Sequence, residues 1–191
     1  MKNTLKLFTL SFLLMFAGCV HTLNPLYTEQ DLIFDAALLG VWTDSDSKET
    51  WELTKAGEKQ YRLTYKDEDG KTGEFTAHLL KVEGKKFMDL TPLKPILSQN
   101  DFYKGHFLAT HSFAQIIQNG PKFQISYLES KWLKDFLDKN PAAVSHVKIA
   151  DEILLTDSPK NLQKFLLTHL NTNGAFAEPV ELIKKDKRGR K

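Results

Sequence analysis

Residues 60–82 read QYRLTYKDEDGKTGEFTAHLLKV, and this stretch decides the fold. Tyr61, Leu63 and Tyr65 alternate with Gln60, Arg62 and Thr64. A period of two is the pattern of a strand with one buried face. Asp67-Glu68-Asp69-Gly70 follows as a turn, and its Asp-Gly pair favours a hairpin. Beyond the turn Phe75, Ala77 and Leu79 point one way, while His78, Leu80 and Val82 point the other.

The same pattern extends outward. Trp51 and Leu53 alternate with Thr50, Glu52 and Thr54. Gly84 turns the chain into a short strand over 87–90. Residues 91–105 (TPLKPILSQNDFYKG) carry two prolines and no periodicity, which predicts a long connection. Three further strands are expected over 106–110, 113–118 and 122–128, with Asn119-Gly120-Pro121 joining the last two. Ser130 is placed to cap a helix over 131–139 that shows Trp132, Leu133, Phe136 and Leu137 on one face. A strand over 153–156 comes next. Asp157-Ser158-Pro159 opens a second helix over 159–170, with Leu162, Phe165, Leu166 and Leu170 as its apolar stripe. Eight or nine short strands separated by frequent turns predict a mainly β chain, an antiparallel barrel or sandwich in one domain. The second helix is expected to pack after the last strand.

Composition removes several function classes. The 191 residues carry a formal net charge of +2, too small for a strongly basic nucleic-acid binder. A single cysteine excludes an intrachain disulfide framework and any multi-cysteine zinc or iron–sulfur site. Six of the last eight residues, KKDKRGRK, are basic, and residues 184–191 read as a disordered basic tail.

The address is written at the start of the chain. Lys2 and Lys6 precede a twelve-residue apolar stretch, LFTLSFLLMFAG, over 7–18. A spanning helix needs about 20 apolar residues, so this is the pattern of an export signal. The stretch ends Ala17-Gly18-Cys19, and Cys19 is the one cysteine of the chain. Ala-Gly-Cys at this place resembles the lipobox of bacterial lipoproteins, with Phe16 where that family usually has Leu. The resemblance implies a diacylglycerol on the Cys19 sulfur, cleavage before Cys19 and acylation of the freed amine. Val20 stands where an Asp often retains such proteins in the inner membrane. The absence of Asp there favours the outer membrane, facing the periplasm, in an organism that has one. Residues 1–18 are then the signal peptide, 19–34 a lipid-anchored tether, and 35–183 the folded domain.

A second resemblance concerns that domain. Asp35 and Gly40 bracket a short helical turn, and Gly40-Val41-Trp42 opens the first strand. Gly-x-Trp in this place resembles the signature of the lipocalin and calycin barrels. It implies a lipocalin-like barrel of about eight antiparallel strands, with the tryptophan packed at its closed end. The inserted helix at 131–139 departs from ordinary lipocalins. Asn24 to Glu29, Leu39 to Trp42 and Asn161 to Leu170 also look like segments of a set of uncharacterised bacterial lipoproteins.

Chemistry is sparse. The six histidines form no metal-ligand spacing, and His106 and His111 would face opposite sides of one strand. Asp44, Asp46 and Glu49 read as a polar hairpin tip, since the spacing of a calcium loop is missing. No nucleophile elbow or phosphate loop is present. The expectation is a non-enzymatic protein without metal or cofactor. Trp42, Trp51, Tyr61, Tyr65, Phe75, Phe87 and Phe123 fall at alternate strand positions. They line a cavity for a small apolar or lipid ligand, or they are packed core, and small barrels usually fill themselves. Two uses of the barrel stay open. One is a carrier of such a ligand. The other is a structural or assembly lipoprotein with a filled barrel that meets an envelope protein partner.

Overall fold

The computed structural model describes residues 20–44, 47–93, 100–104, 106–119 and 122–185. In chain order the elements are β1 (His21–Thr22), β2 (Leu32–Ile33), a 3-10 turn (Ala36–Leu38), β3 (Gly40–Thr43), β4 (Thr50–Lys55), β5 (Tyr61–Lys66), β6 (Thr72–Val82) and β7 (Lys85–Pro92). Then come α1 (Asp101–Lys104), β8 (His111–Asn119), β9 (Lys122–Ser126), α2 (Ser130–Lys139), β10 (His146–Ile149), β11 (Glu152–Leu155), α3 (Pro159–His169) and β12 (Val180–Lys184).

Strands β3 to β9 form an antiparallel meander, each paired with the one before it. Strand β12 then slots between β9 and β3, antiparallel to both, and closes an eight-stranded barrel. Closure leaves the barrel without a free edge. The fold is thus the mainly β antiparallel barrel expected, and it is consistent with a lipocalin-like fold. The strand that seals it was not foreseen. VELIK is short, and its alternation covers too few residues to stand out. Consequently α3 does not follow the last strand; α2, β10, β11 and α3 are all inserted between the seventh and eighth barrel strands.

Local chemistry explains most of the turns. Asp67 accepts a hydrogen bond from the Lys71 amide at 2.8 Å, and Gly70 takes a φ of +84° in the β5–β6 turn. Glu83 and Gly84 both have positive φ, 46° and 78°. That pair of conformations is what a two-residue hairpin requires between twisted strands. Ser158 accepts from the Asn161 amide and Pro159 occupies the first turn of α3, as expected. In α2 the helix begins one residue early, at Ser130, and Glu129 occupies the capping position without a side-chain cap bond.

Three expectations need correction. Residues 106–110 are not a strand; β8 begins at His111, and the connection before it holds the short helix α1. Residues 20–34 are not a tether: β1 pairs with β8 and β11, β2 pairs with β6, and Leu26 is fully buried. Lys184 does not belong to a tail, because it ends β12 and its ammonium sits 5.1 Å over the Trp42 ring; residues 186–191 lie outside the described residues.

Two cores share one wall. The first fills the barrel with Leu38, Trp42, Trp51, Leu53, Tyr61, Leu63, Leu79, Met88, Ile116, Phe123 and their neighbours. The second lies outside it, where Leu80, Phe87 and Phe113 of the wall meet Leu26, Leu133, Leu137, Leu155, Leu162 and Leu166. Strands β6 and β7 are therefore buried on both faces over part of their length, and Phe87, Met88, Asp89 and Leu90 are all buried. A strand covered on both sides loses its polar alternation.

Trp42 plugs one end of the barrel. Its indole N–H donates to the Leu38 carbonyl at 2.8 Å, and its ring meets Phe123 edge-on at 4.4 Å. Gly40 has a φ of +130°, and a Cβ there would lie 2.6 Å from Lys184 Cε. Replacing Trp42 with Ala should lower stability by about 3–5 kcal/mol, the usual cost of emptying a large aromatic site. Urea unfolding of the chain from residue 20 onward measures it; a loss below about 1 kcal/mol would mean that the ring is not part of the closed end.

Candidate functional site

The seven aromatic residues singled out from the sequence divide between the two cores. Trp42, Trp51, Tyr61 and Phe123 are buried inside the barrel, with Tyr65 and Phe75 packed against them. Phe87 is not among them: it points outward into the second core, because Met88 and not Phe87 takes the inward position on β7. The inward rings are engaged with one another and with the closed end. Trp51 meets Tyr65 at 5.8 Å, and Phe34 stacks on Tyr61 at 4.7 Å. The Tyr61 hydroxyl accepts from the Asp35 amide at 2.6 Å and donates to the Asp35 carbonyl at 3.1 Å. Burial pushes its phenol pKa up.

The 3-10 turn over this end is clamped as well. Asp35 caps it by accepting from the Ala37 amide, and it holds Lys86 at 3.0 Å; Lys86 in turn donates to Gln118. Burial works against the Asp35 carboxylate, yet these partners outweigh it and hold its pKa below the ordinary value. A shallow pocket of about 210 Å³ lies beside the turn, bounded by Ala37, Gln118, Lys122, Phe123 and Lys184 over Trp42. Its two lysines are already engaged, Lys122 with Glu181 at 2.8 Å and Lys184 with the Ala37 carbonyl.

At the opposite end Tyr65, Phe75, Tyr127 and Val180 are only partly buried. Tyr65 donates to Glu49 at 2.7 Å, and burial together with that carboxylate raises its phenol pKa strongly. Of the acidic residues of the first hairpin, Glu49 is thus a partner of Tyr65, and Asp46 lies outside the described residues.

The densest polar cluster lies elsewhere, on the outer face of the shared wall. Asp89 on β7 is fully buried. It accepts from the Leu26 amide at 2.8 Å and lies 2.7 Å from His111 Nδ1. Thr91 Oγ1 is 2.9 Å from that same nitrogen. His78 pairs with Asp89 in register across β6 and β7, and its ring lies 4.6 Å from Tyr27. Its Nδ1 has no hydrogen-bond partner among the described residues. Burial lowers the His78 pKa and outweighs the opposing pull of Asp89 and Glu29. Burial raises the Tyr27 pKa, with Asp89 and Glu29 adding to it. Gln163 of α3 completes the anchorage, donating to the Leu26 carbonyl and to Asp31, each at 2.8 Å.

This cluster fastens the N-terminal segment to the barrel. A histidine that relays a proton needs an orienting acid on one ring nitrogen and the reacting group on the other. Here Asp89 and Thr91 both approach Nδ1 of His111. The arrangement is that of a buried carboxylate satisfied by its neighbours. Sequence reasoning missed Asp89, although one signal was there: a lone carboxylate inside the run KFMDL. His106 is far from this role; it meets Phe102 edge-on at 4.9 Å beyond α1. Among the described residues no group of three or more His, Cys, Asp or Glu side chains is arranged to hold a metal ion. Ala17, Gly18 and Cys19 lie outside the described residues.

Compared with protein-family models, with curated proteins and with solved structures, the chain finds no match.

Two expected outcomes follow, the first from this cluster. Asp89→Ala strands the Leu26 amide and takes away the partner of His111 Nδ1, and should cost about 1–3 kcal/mol for each buried group left unsatisfied. It should also expose the peptide bonds of residues 24–30 to protease; a variant as resistant as the parent would contradict the anchoring role. The second concerns acid. His78 and His169 both have pKa values lowered by burial from the ordinary 6.5. The unfolded chain therefore takes up protons first, and stability that is complete above about pH 6.5 falls as the pH drops toward the folded values. The urea midpoint should decline between pH 7 and 5.5, and less so in His78→Gln.

Proposed function

We propose that this chain is a lipid-anchored envelope protein, exported by residues 1–18 and acylated on Cys19, whose barrel is a filled, non-enzymatic scaffold. The observation that carries the scaffold reading is the interior. Fourteen buried side chains form one contiguous core within the barrel, and Trp42 and Phe123 pack together at its closed end. A barrel of eight strands has room for its own side chains or for one small ligand, and here the aromatic positions are taken up by mutual packing. The work of such a protein is done on its outer surface, toward an envelope partner. Support for the anchor comes from the sequence: a positive flank, a short apolar core and Ala17-Gly18-Cys19. The outer membrane, facing the periplasm, is the location this reading favours, since Val20 and not Asp follows the cysteine.

One observation favours a second reading, that of a carrier. The half-buried rings of Tyr65, Phe75 and Tyr127 gather at the barrel end opposite Trp42. They offer a shallow apolar mouth for a small lipid-like molecule.

Two measurements test these readings. Cys19→Ser should remove the acyl mass from the mature chain and move it from the membrane to the soluble fraction. An unchanged mass and location would overturn the anchor. Native mass spectrometry of residues 20–191, purified without detergent, should give the mass of the bare chain. A reproducible extra mass that extracts into organic solvent would overturn the filled scaffold in favour of the carrier.

A further inference from the structure

The fold continues right up to the residue that follows Cys19. Val20 is only 6% exposed and belongs to the second core. His21 and Thr22 form β1, whose two edges are both occupied: His21 pairs with Ser112 of β8 on one side and with Leu154 of β11 on the other. Thr22 is fully buried beside Leu155, on the face of β1 covered by the second core. An anchored chain usually reaches its domain through a flexible linker. Here consecutive Cα atoms are about 3.8 Å apart, so a lipid on residue 19 is held within about one residue of a buried strand.

Two edges and one face of β1 are closed, so one face is left open. Strand alternation identifies what shares it. His21, Leu154 and Val147 lie side by side in register, and Ile149 lies opposite Glu152 one step along. Lys148 points the other way, toward α2, where it holds Asp138 at 2.6 Å. Val147 and Ile149 are 45% and 57% exposed, and Leu23, next along from β1, is also exposed. The connection before β8 adds to this surface. Thr110 Oγ1 lies 3.5 Å from His21 Nδ1, and the exposed Phe107 and Leu108 are at most three residues away. Adjacent strands are about 4.8 Å apart, which puts β10 about 10 Å from β1.

We infer that the open face of β1, β11 and β10, with Leu23, Val147 and Ile149, rests directly on the lipid bilayer and fixes the orientation of the barrel on the membrane. The inference rests on the reading that Cys19 carries lipid. Given that anchor, the bilayer lies beside β1, and this is the face that remains for it to meet. Apolar side chains at an interface gain by leaving water, and the acyl chains supply the attachment, so the face need only orient. Glu152 sits on the same face beside Ile149.

The test uses the full-length gene product, processed and purified from membranes, then reconstituted into vesicles of phosphatidylethanolamine and phosphatidylglycerol. Val147→Cys and Ile149→Cys each place a single free thiol for an environment-sensitive fluorophore, since the Cys19 sulfur is then a thioether. Lys59→Cys, in the exposed turn between β4 and β5, is the control. The expected result is quenching at 147 and 149 by doxyl lipids with loss of quenching by aqueous iodide, and the reverse at 59. If the intact mass carries the acyl chains and all three positions respond alike to iodide, the seating is overturned while the anchor stands. Shielding from iodide without lipid quenching would mean that a second copy covers the face, and would also overturn it. An intact mass without acyl chains removes the anchor and the inference together.

Discussion

The wall formed by β6, β7 and β8 must be covered on both sides, and the rest of the structure follows from that requirement. On one side Leu79, Met88 and Ile116 face the barrel interior; on the other Leu80, Phe87 and Phe113 would face water if nothing lay over them. The apolar side chains exposed on that outer face are what α2, α3, β11 and residues 20–33 exist to bury. Each large side chain so covered contributes roughly 1.5–3 kcal/mol. The cost is a fully buried carboxylate, Asp89, in the middle of the wall, and it is offset by the Leu26 amide and His111. That pair of contacts brings the start of the chain down onto the barrel.

Much of this was legible in residues 50–90, where the alternation is strong and the turns carry their own chemistry. Phe75, Ala77 and Leu79 face inward and Leu80 outward, as their spacing predicts. Trp42 is buried against Phe123, with its indole N–H on the Leu38 carbonyl. The two helices were readable because Leu133 and Leu137, and Leu162, Phe165 and Leu166, fall at helical intervals. What could not be read were pairings between distant segments. Strands β1 and β2 are two residues each, and no period shows in two residues. They are strands because β8, β11 and β6 present edges to them. Strand β12 is likewise defined by the gap it fills between β9 and β3.

The candidate site was read less well, for the same reason. Alternation assigns side chains to one of two faces, but it does not say what lies over the outer one. Phe87 was placed with the inward rings because it is aromatic and in a strand, whereas the second core claims it. Asp89 drew no attention, since its partners come from residues 63 and 22 positions away in the chain. Residues 19–34 read as a tether because they show no strand or helix period and Asn24-Pro25 disfavours a helix. Yet Asn24 is pinned to the carbonyls of Thr156 and Asp157, and Thr28 to Asp31. Those hydrogen bonds act together with the burial of Val20, Leu26 and Leu32 to order the segment.

From Val20 onward the chain is built into the fold, with Val20 itself in the second core. Backbone hydrogen exchange on the mature chain tests this most directly. The amides of Thr22, Leu23 and Leu26 should exchange as slowly as those in the middle of β6, because they open only when the wall is uncovered. Exchange of these amides at the rate of an unstructured peptide, with β6 still protected, would show a free tether and contradict the account.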